Sequence, residues 1–313
     1  MSISTYLKEL AQGAGASLSR ERARQLMEQV LDGGCSDLEL GALVMAMHLR
    51  GASLQEMAGF LDAIQPRLVR LPSGERPTVV LPSYGGGVRW PPFTPLLALI
   101  LMRRGLPVLL HGTGGDERSV SAQRVLAAFG LSAHNPSRPV DNGQIACVAT
   151  SALHPGLARV LEARRSTGVR TLAHTLVQII SPVDGPHLIV ACYEHAGDAQ
   201  AMSILLQKTG AHAMLLPASE GEPVAAPQHL GRIEGFAQGQ MQLLQAESDT
   251  LLPLLPELPP VPDVMASAEY TLAVMNAELP VPEPLARQAD LIMRMCKNIE
   301  AENDASHLQR LAV

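Results

Sequence analysis

The segment HGTGGDE at residues 111–117 has the residue types of a loop that binds phosphate. Its closely spaced glycines would let several backbone amides turn toward one anion, and Asp116 or Glu117 would supply a carboxylate for a metal ion. The segment therefore raises the hypothesis of an enzyme that handles a phosphorylated substrate.

Composition favours a globular protein. The chain has 313 residues, of which 47% are hydrophobic, so it can bury a substantial core in one large domain or two unequal ones. The longest apolar run, at residues 95–102, is far shorter than the roughly 20 residues of a membrane span, and the N-terminus lacks the apolar core of a secretory signal. We therefore expect a cytoplasmic protein with no membrane partner.

The four cysteines, Cys35, Cys147, Cys192 and Cys296, are scattered without metal-ligand spacing, so neither disulfides nor structural zinc are expected. Charge is distributed unevenly. Residues 1–170 contain 18 Lys+Arg and 13 Asp+Glu, a balance of +5, whereas residues 171–313 contain 6 and 17, a balance of −11. This asymmetry is compatible with a basic face for nucleic acid or phosphate and equally with ordinary surface charge.

The elements that must position these groups fall into two regions. Residues 1–70 read as a helical domain, in which Ser36 with Glu39 and Ser53 with Glu56 fit the capping box at two helix starts. Pro66 should close the helix that begins near Ser53. Helices near residues 155–180 are expected to join this domain.

Residues 71–313 read as an α/β domain with a mostly parallel sheet, because short apolar runs alternate with helical stretches. A proline-rich segment from residue 251 is expected to be a surface loop or an extended crossing between elements. The predicted strands are TVVLP from Thr78, PVLLH from Pro107, IACVA from Ile145, LIVACY from Leu188 and AMLLP from Ala213.

Three blocks of this sequence resemble the anthranilate phosphoribosyltransferases and the related pyrimidine nucleoside phosphorylases. The stretch from residue 18 to 64 is similar to their helical domain, and ALHPGLARVLEARRSTGVRT, from residue 152, is similar to their Ala-x-His-Pro block. The pair His111-Gly112, followed eighteen residues later by Phe129-Gly130, is the third match. The resemblance implies a small N-terminal helical domain and a larger α/β domain.

The chain departs from these enzymes where they bind phosphoribosyl pyrophosphate. Counting back from His111-Gly112 places their glycine loop on residues 82–87, so HGTGGDE lies about thirty residues too late. Prolines in WPPFTP, from residue 90, remove amide donors, and Leu110 replaces a lysine. The resemblance thus implies a degenerate ligand cleft formed by Ser83, Tyr84, Gly85, Gly86, Gly87, His111, Gly112, Thr113 and His154.

The sequence also departs from these enzymes where they bind magnesium. The enzymes use an adjacent Asp-Glu pair for Mg²⁺, whereas here Glu220 and Glu222 are separated by Gly221. We therefore expect no metal site and no cofactor, and we assign no catalytic residue. Anthranilate phosphoribosyltransferase activity is not expected. If the protein is an enzyme, it should be a pentosyl or glycosyl transferase, with HGTGGDE as a relocated loop.

These departures are similar to a non-canonical branch that keeps the fold and the homodimer, lacks that synthesis activity and binds nucleic acid. The resemblance therefore implies DNA or another nucleic acid as the partner, with a small phosphorylated ligand as the alternative. Aromatic content of 3% favours electrostatic binding over base stacking. For each candidate arginine the other interpretation is an ordinary solvated or ion-paired side chain. The candidate phosphate contacts are Arg89, Arg103, Arg104, Arg118, Arg124, Arg164 and Arg165.

Overall fold

The computed structural model describes residues 2–11, 17–113, 119–131, 133–252, 258–259 and 262–311. It separates into two compact units, one made of Met1–Val69 and Thr150–Pro182, the other of Arg70–Ala149 and Val183–Val313. Asp116, Glu117 and Arg118, and part of the proline-rich segment after residue 251, lie outside the described residues.

Among its described residues, the regular structure of the first unit consists of helices. Helix α4 ends at Ile64, and a short 3-10 helix at Gln65–Arg67 follows it. Pro66 therefore lies within a 3-10 turn and does not simply end the chain's helical course after Gln65. The helices are α1 (Ile3–Ala11), α2 (Arg20–Leu31), α3 (Asp37–Arg50), α4 (Leu54–Ile64), α7 (Thr150–Leu153), α8 (Pro155–Thr167) and α9 (Leu172–Leu176).

Both predicted capping boxes of this unit are confirmed. Ser36 and Ser53 each accept an amide hydrogen bond from the glutamate three residues later, and each glutamate accepts one in return. Glu56 also has a structural role, since its buried carboxylate accepts from the Leu18 amide at 2.9 Å and from Arg50 at 2.6 Å. The capping residue Glu56 of α4 therefore also contacts α3 and the residues just before α2.

The second unit is built on a seven-stranded sheet. The strands run in the order β4-β3-β2-β6-β7-β8-β9, with parallel pairing from β4 to β7 and antiparallel pairing from β7 to β9. A separate parallel pair joins β1 (Leu71–Pro72) to β5 (Val183–Asp184). The main strands are β2 (Thr78–Ser83), β3 (Val108–Gly112), β4 (Ile145–Ala149), β6 (His187–Tyr193), β7 (Ala213–Pro217), β8 (Ile233–Ala237) and β9 (Gln240–Gln245).

Helices cover both faces of the parallel part, which explains why its strands are continuous apolar runs rather than alternating ones. Every residue of β2 is buried. The core on one face includes Leu81 of β2, Leu97 of α5, Tyr270 of α11 and Ile292 of α12. The helices are α5 (Thr94–Arg103), α6 (Ala122–Ala128), α10 (Ala196–Thr209), α11 (Val264–Met275) and α12 (Glu283–Leu311).

The five predicted strands are confirmed, and the hairpin of β8 and β9 is an addition that the sequence did not predict. Its two-residue loop is Gln238-Gly239, with φ of 49° and 78°. The four cysteines are all buried, Cys35 in the helical unit and the other three in the α/β unit. Among the described helices, none combines the length and apolarity that a bilayer crossing requires.

Candidate functional site

The carboxyl ends of β2 and β6 lie at the point where the sheet order reverses. Strands β3 and β4 extend to one side of β2, and β6 and β7 extend to the other. Loops that leave neighbouring strands in opposite directions open a crevice at this edge, where open α/β sheets bind ligands. The loop after β2, residues 83–90, is called the glycine loop below.

Strand pairing brings most of the predicted cleft residues of this unit together. Ser83 at the end of β2 pairs with Gly112 at the end of β3. The Tyr84 hydroxyl and His111 Nδ1 are 2.9 Å apart, and both side chains are buried. His111 and Gly112 therefore belong to a packed strand end, and Thr113 directly follows it.

A second segment reaches the same edge from the loop after β7. Residues 219–222, called the acidic turn below, form a tight reversal in which Ser219 and Glu222 exchange two backbone hydrogen bonds. The two central residues, Glu220 and Gly221, have φ of 54° and 80°. Both positive values are characteristic of a type I′ turn, in which glycine or asparagine is usual and glutamate is not.

Glu222 anchors the acidic turn inside the protein. Its carboxylate accepts hydrogen bonds from the Ser83 hydroxyl at 2.9 and 3.0 Å, the Thr94 hydroxyl at 2.6 Å and the Gly85 amide at 2.9 Å. Burial raises the pKa of this carboxyl to about 7, although the three donors act to lower it. The side chain thus connects the glycine loop to the start of α5.

Glu220 occupies the outer part of the glycine loop. Its Oε2 accepts from the Val88 amide at 2.8 Å and the Trp90 amide at 3.3 Å, and its Oε1 accepts from the Arg89 amide at 2.8 Å. Three successive backbone N–H groups pointing at one carboxylate form an anion-binding nest. We call residues 88–90 the amide cradle.

The inner amides of the glycine loop have internal acceptors too. Gly86 donates to the Glu220 carbonyl at 3.3 Å, and Gly87 donates to the Val120 carbonyl at 2.9 Å. Gly85 has no room for a side chain, because a Cβ there would lie 2.3 Å from the Glu220 carbonyl oxygen. The acidic turn therefore packs directly on the backbone of the glycine loop.

The predicted arginines of this unit differ in their surroundings. Arg103 donates to the Met275 carbonyl at 2.6 Å, and Arg104 pairs with Asp290 at 2.6 Å. The Arg89 guanidinium lies 5.7 Å from the centre of the Trp90 ring. Arg124 is exposed on α6 and forms no ion pair within the described part of the chain.

In the helical unit, the predicted residues lie at the two ends of α8. His154 caps its start, with Nδ1 accepting from the Leu157 amide at 3.3 Å. Arg164 and Arg165 lie in the last turn, and Arg165 pairs with Glu162 at 3.1 Å. Burial, with the charges of Arg170 and Arg164, lowers the pKa of His174 to about 3. His174 is therefore neutral at physiological pH.

The sequence did not predict that Glu220 and Glu222 insert into the glycine loop. The only local signal was the pair Glu220-Gly221 among turn-forming residues, and it does not reveal a partner some 130 positions earlier. Within the described residues, no group of three His, Cys, Asp or Glu side chains is placed to hold a metal ion. Each oxygen of both carboxylates already accepts from an N–H or O–H donor, an arrangement that does not fit Mg²⁺.

Comparisons with known proteins agree with this architecture. Residues 4–66 match the family model described as the glycosyl transferase family, helical bundle domain. The uncharacterized protein YbiB of Escherichia coli K12 is 30% identical over 291 residues, which are 90% of each chain. The anthranilate phosphoribosyltransferase of Methylocella silvestris is 27% identical over 57% of this chain, and the match spans 52% of that enzyme.

Among solved structures, the anthranilate phosphoribosyltransferase (TrpD) of Thermus thermophilus matches with a TM-score of 0.67 at 19% identity, over 96% of this chain and 90% of that one. The Saccharomyces cerevisiae enzyme, in complex with PRPP and Mg, also matches with a TM-score of 0.67, at 12% identity, over 96% of this chain and 89% of that one. These two likenesses concern the fold. The relative that is 30% identical over nine-tenths of both chains, the family model over residues 4–66 and the similarity to the Methylocella silvestris enzyme place this protein in the anthranilate phosphoribosyltransferase-like family of glycosyltransferases.

Proposed function

We propose that this chain is a homodimeric nucleic-acid-binding protein that keeps a phosphoribosyltransferase-like fold without phosphoribosyl transfer. The absence of phosphoribosyl transfer is proposed because acceptors of the acidic turn occupy the glycine loop. Five of the six amides at residues 85–90 donate to acceptors of Glu220 or Glu222. A pyrophosphate would have to displace these acceptors, and the two carboxylates would repel it.

The surroundings of the arginines support the proposed binding of nucleic acid. A cation that is already paired within the chain gains little from a phosphate, because a new contact must replace the old one. Arg104 and Arg165 are paired in this way, and Arg103 is bound to a carbonyl. Arg124, exposed and without an ion pair among the described residues, is the strongest candidate contact.

Fluorescence anisotropy with a labelled random-sequence duplex tests the proposal. We expect binding at low salt, with the logarithm of the association constant falling by about 0.9 per neutralised phosphate for each unit of log salt. The Arg124→Ala variant should bind more weakly and reduce this slope by about 1. Arg287→Ala, which removes an exposed arginine paired with Glu283, is the charge-matched control. Absence of binding at low salt, or binding insensitive to salt, contradicts the proposal.

One observation favours a pentosyl or glycosyl transferase as the second candidate. The glycine loop lies at the reversal point of strand order, where α/β enzymes bind their ligands. Calorimetry with phosphoribosyl pyrophosphate and magnesium distinguishes the candidates. A stoichiometric isotherm would favour the transferase, whereas we expect no saturable heat. The carboxylate surroundings described above likewise lead us to expect no magnesium role.

A further inference from the structure

We infer that the groove between α12 and the β8–β9 hairpin binds a medium-chain carboxylate, a linear apolar compound with one anionic group. This hairpin groove lies within the α/β unit and has a volume of about 530 Å³. Small-molecule sites of this size combine mainly apolar walls with a few polar groups. The inference does not depend on the proposed nucleic-acid binding, because none of the described candidate phosphate contacts lines the groove.

The floor of the hairpin groove is apolar. Gly235 of β8 leaves space in which the Leu244 side chain packs, since a Cβ at Gly235 would lie 2.8 Å from Leu244 Cδ1. The apolar residues of α12 recur at four-residue spacing, so they share one face of the helix. The floor consists of Ala237, Leu244, Leu291, Met295 and Ile299.

Part of this apolar surface faces solvent. Leu243, which also lines the hairpin groove, is 46% exposed, and Leu244 and Met295 are only partly buried. A hydrocarbon chain laid on these side chains would leave water together with them. Transfer of one methylene group out of water is worth up to about fourfold in affinity.

Two exposed cations of α12, Arg294 and Lys297, line the hairpin groove. Neither forms an ion pair with a residue in the described part of the chain, whereas Arg287, two turns earlier on the same helix, pairs with Glu283. A guanidinium can bind a carboxylate through two parallel hydrogen bonds. Cations of this kind beside an apolar floor are complementary to an amphipathic anion.

The other end of the hairpin groove has the opposite polarity. The Glu302 carboxylate accepts from Gln238 Nε2 at 2.9 Å and lies 3.5 Å from His212 Nε2. Glu302 follows Arg294 on α12 at a distance of about 12 Å along the helix axis. An anionic group near Glu302 would be repelled. The charges therefore orient the ligand with its head group at Arg294 and its hydrocarbon chain over the apolar floor.

Isothermal titration calorimetry with octanoate tests the inference. We expect saturable binding to the wild-type protein, with Kd falling by up to about fourfold per methylene along the series butanoate, hexanoate and octanoate. Acetate, which lacks the chain, and octanol, which lacks the charge, should each bind at least about tenfold more weakly than octanoate. No saturable heat with octanoate, or equal Kd values for octanoate and octanol, overturns the inference.

Variants assign the binding to the hairpin groove. Arg294→Ala should raise the Kd of octanoate about tenfold, whereas Arg287→Ala, outside the groove on the same helix, should leave it unchanged. Ala237→Leu fills part of the groove and should also raise the Kd about tenfold. Ala127→Leu, which adds the same bulk at an exposed position of α6, is its control. Wild-type affinity in both groove variants, or in Arg294→Ala if Ala237→Leu does not fold, overturns the inference.

Discussion

At the residue scale, two carboxylates two positions apart perform different tasks. Glu222 is buried and holds the glycine loop to α5, whereas Glu220 lies nearer the surface and fills the amide cradle. The positive φ of Glu220 and Gly221 reverses the chain between them and allows both side chains to reach the same loop. Burial of Glu222 has a consequence that a pH series can measure.

Burial of Glu222 makes stability depend on pH in an unusual direction. The pKa rises from 4.5 to about 7 on folding, so the native state binds more protons between these values and stability falls as pH increases. The contribution is fully present below pH 4.5 and is lost once pH passes about 7. At about 1.4 kcal/mol per pKa unit, the loss is on the order of 3 kcal/mol.

Urea denaturation of the wild type and of Glu222→Gln at pH 5 and pH 8 measures this effect. Glutamine keeps the shape without the titration, so we expect the free energy of unfolding to fall less with pH in the variant. The Glu269→Gln protein serves as control, since that side chain is exposed. The same pH dependence in all three proteins would show that Glu222 does not titrate in this range.

At the element scale, the sequence predicted what local signals encode. The five parallel strands were readable because each is a continuous apolar run, and the two capping boxes because both partners lie within four residues. The β8–β9 hairpin was missed because its loop is Gln238-Gly239 rather than the usual Asn-Gly or Asp-Gly. Helix α11 was also not predicted.

The position of the glycine loop was also predictable, because it follows from a local sequence signal. Counting from His111-Gly112 located the glycine loop at the end of β2, and Ser83 does pair with Gly112 in the sheet. The insertion of the acidic turn was not predictable, because it depends on contacts between residues more than 130 positions apart. Tertiary packing alone decides which loop a type I′ turn will meet.

The close approach of the two loops can be tested through Gly85. An alanine Cβ at this position would lie 2.3 Å from the Glu220 carbonyl oxygen and 2.6 Å from the Gly221 carbonyl carbon, which are backbone atoms. We expect Gly85→Ala to destabilise the protein by about 1–3 kcal/mol, as measured by urea denaturation.

Gly41, within α3, provides the matched control, because a Cβ there meets nothing within 4 Å. Gly41→Ala should be neutral or stabilising by up to about 1 kcal/mol, since alanine is the better helix former. A Gly85→Ala protein as stable as the Gly41→Ala protein would mean that the loops can separate to admit the methyl group.

At the scale of the whole molecule, the proposed homodimer needs an apolar contact surface. Helix α3 exposes Leu38 by 85% and Leu49 by 79%. Eleven residues are close to three helical turns, so both side chains lie on one face of the helix. We therefore propose this face of α3 as the contact surface of the homodimer.

Analytical ultracentrifugation tests this surface. We expect the wild type to sediment at twice the chain mass of 33.3 kDa and the double variant Leu38→Glu/Leu49→Glu to sediment as a monomer, because buried carboxylates would oppose the contact. Leu272→Glu, at a position of α11 that is 47% exposed, is the control and should remain dimeric. A monomeric wild type at micromolar concentration would contradict the proposed assembly.

Because all four cysteines are buried, the rate at which each one is alkylated reports how often its own unit opens. Burial raises the pKa of the Cys147 thiol to about 11 and that of Cys296 to about 12, and it also raises that of Cys35, so alkylation must wait for the structure to open. Mass spectrometry after timed iodoacetamide treatment measures the alkylation rate of each cysteine. We expect one rate for Cys35 and another for Cys147, Cys192 and Cys296. The two rates would measure the opening of the helical unit and of the α/β unit separately. A single shared rate would mean that the two units unfold together.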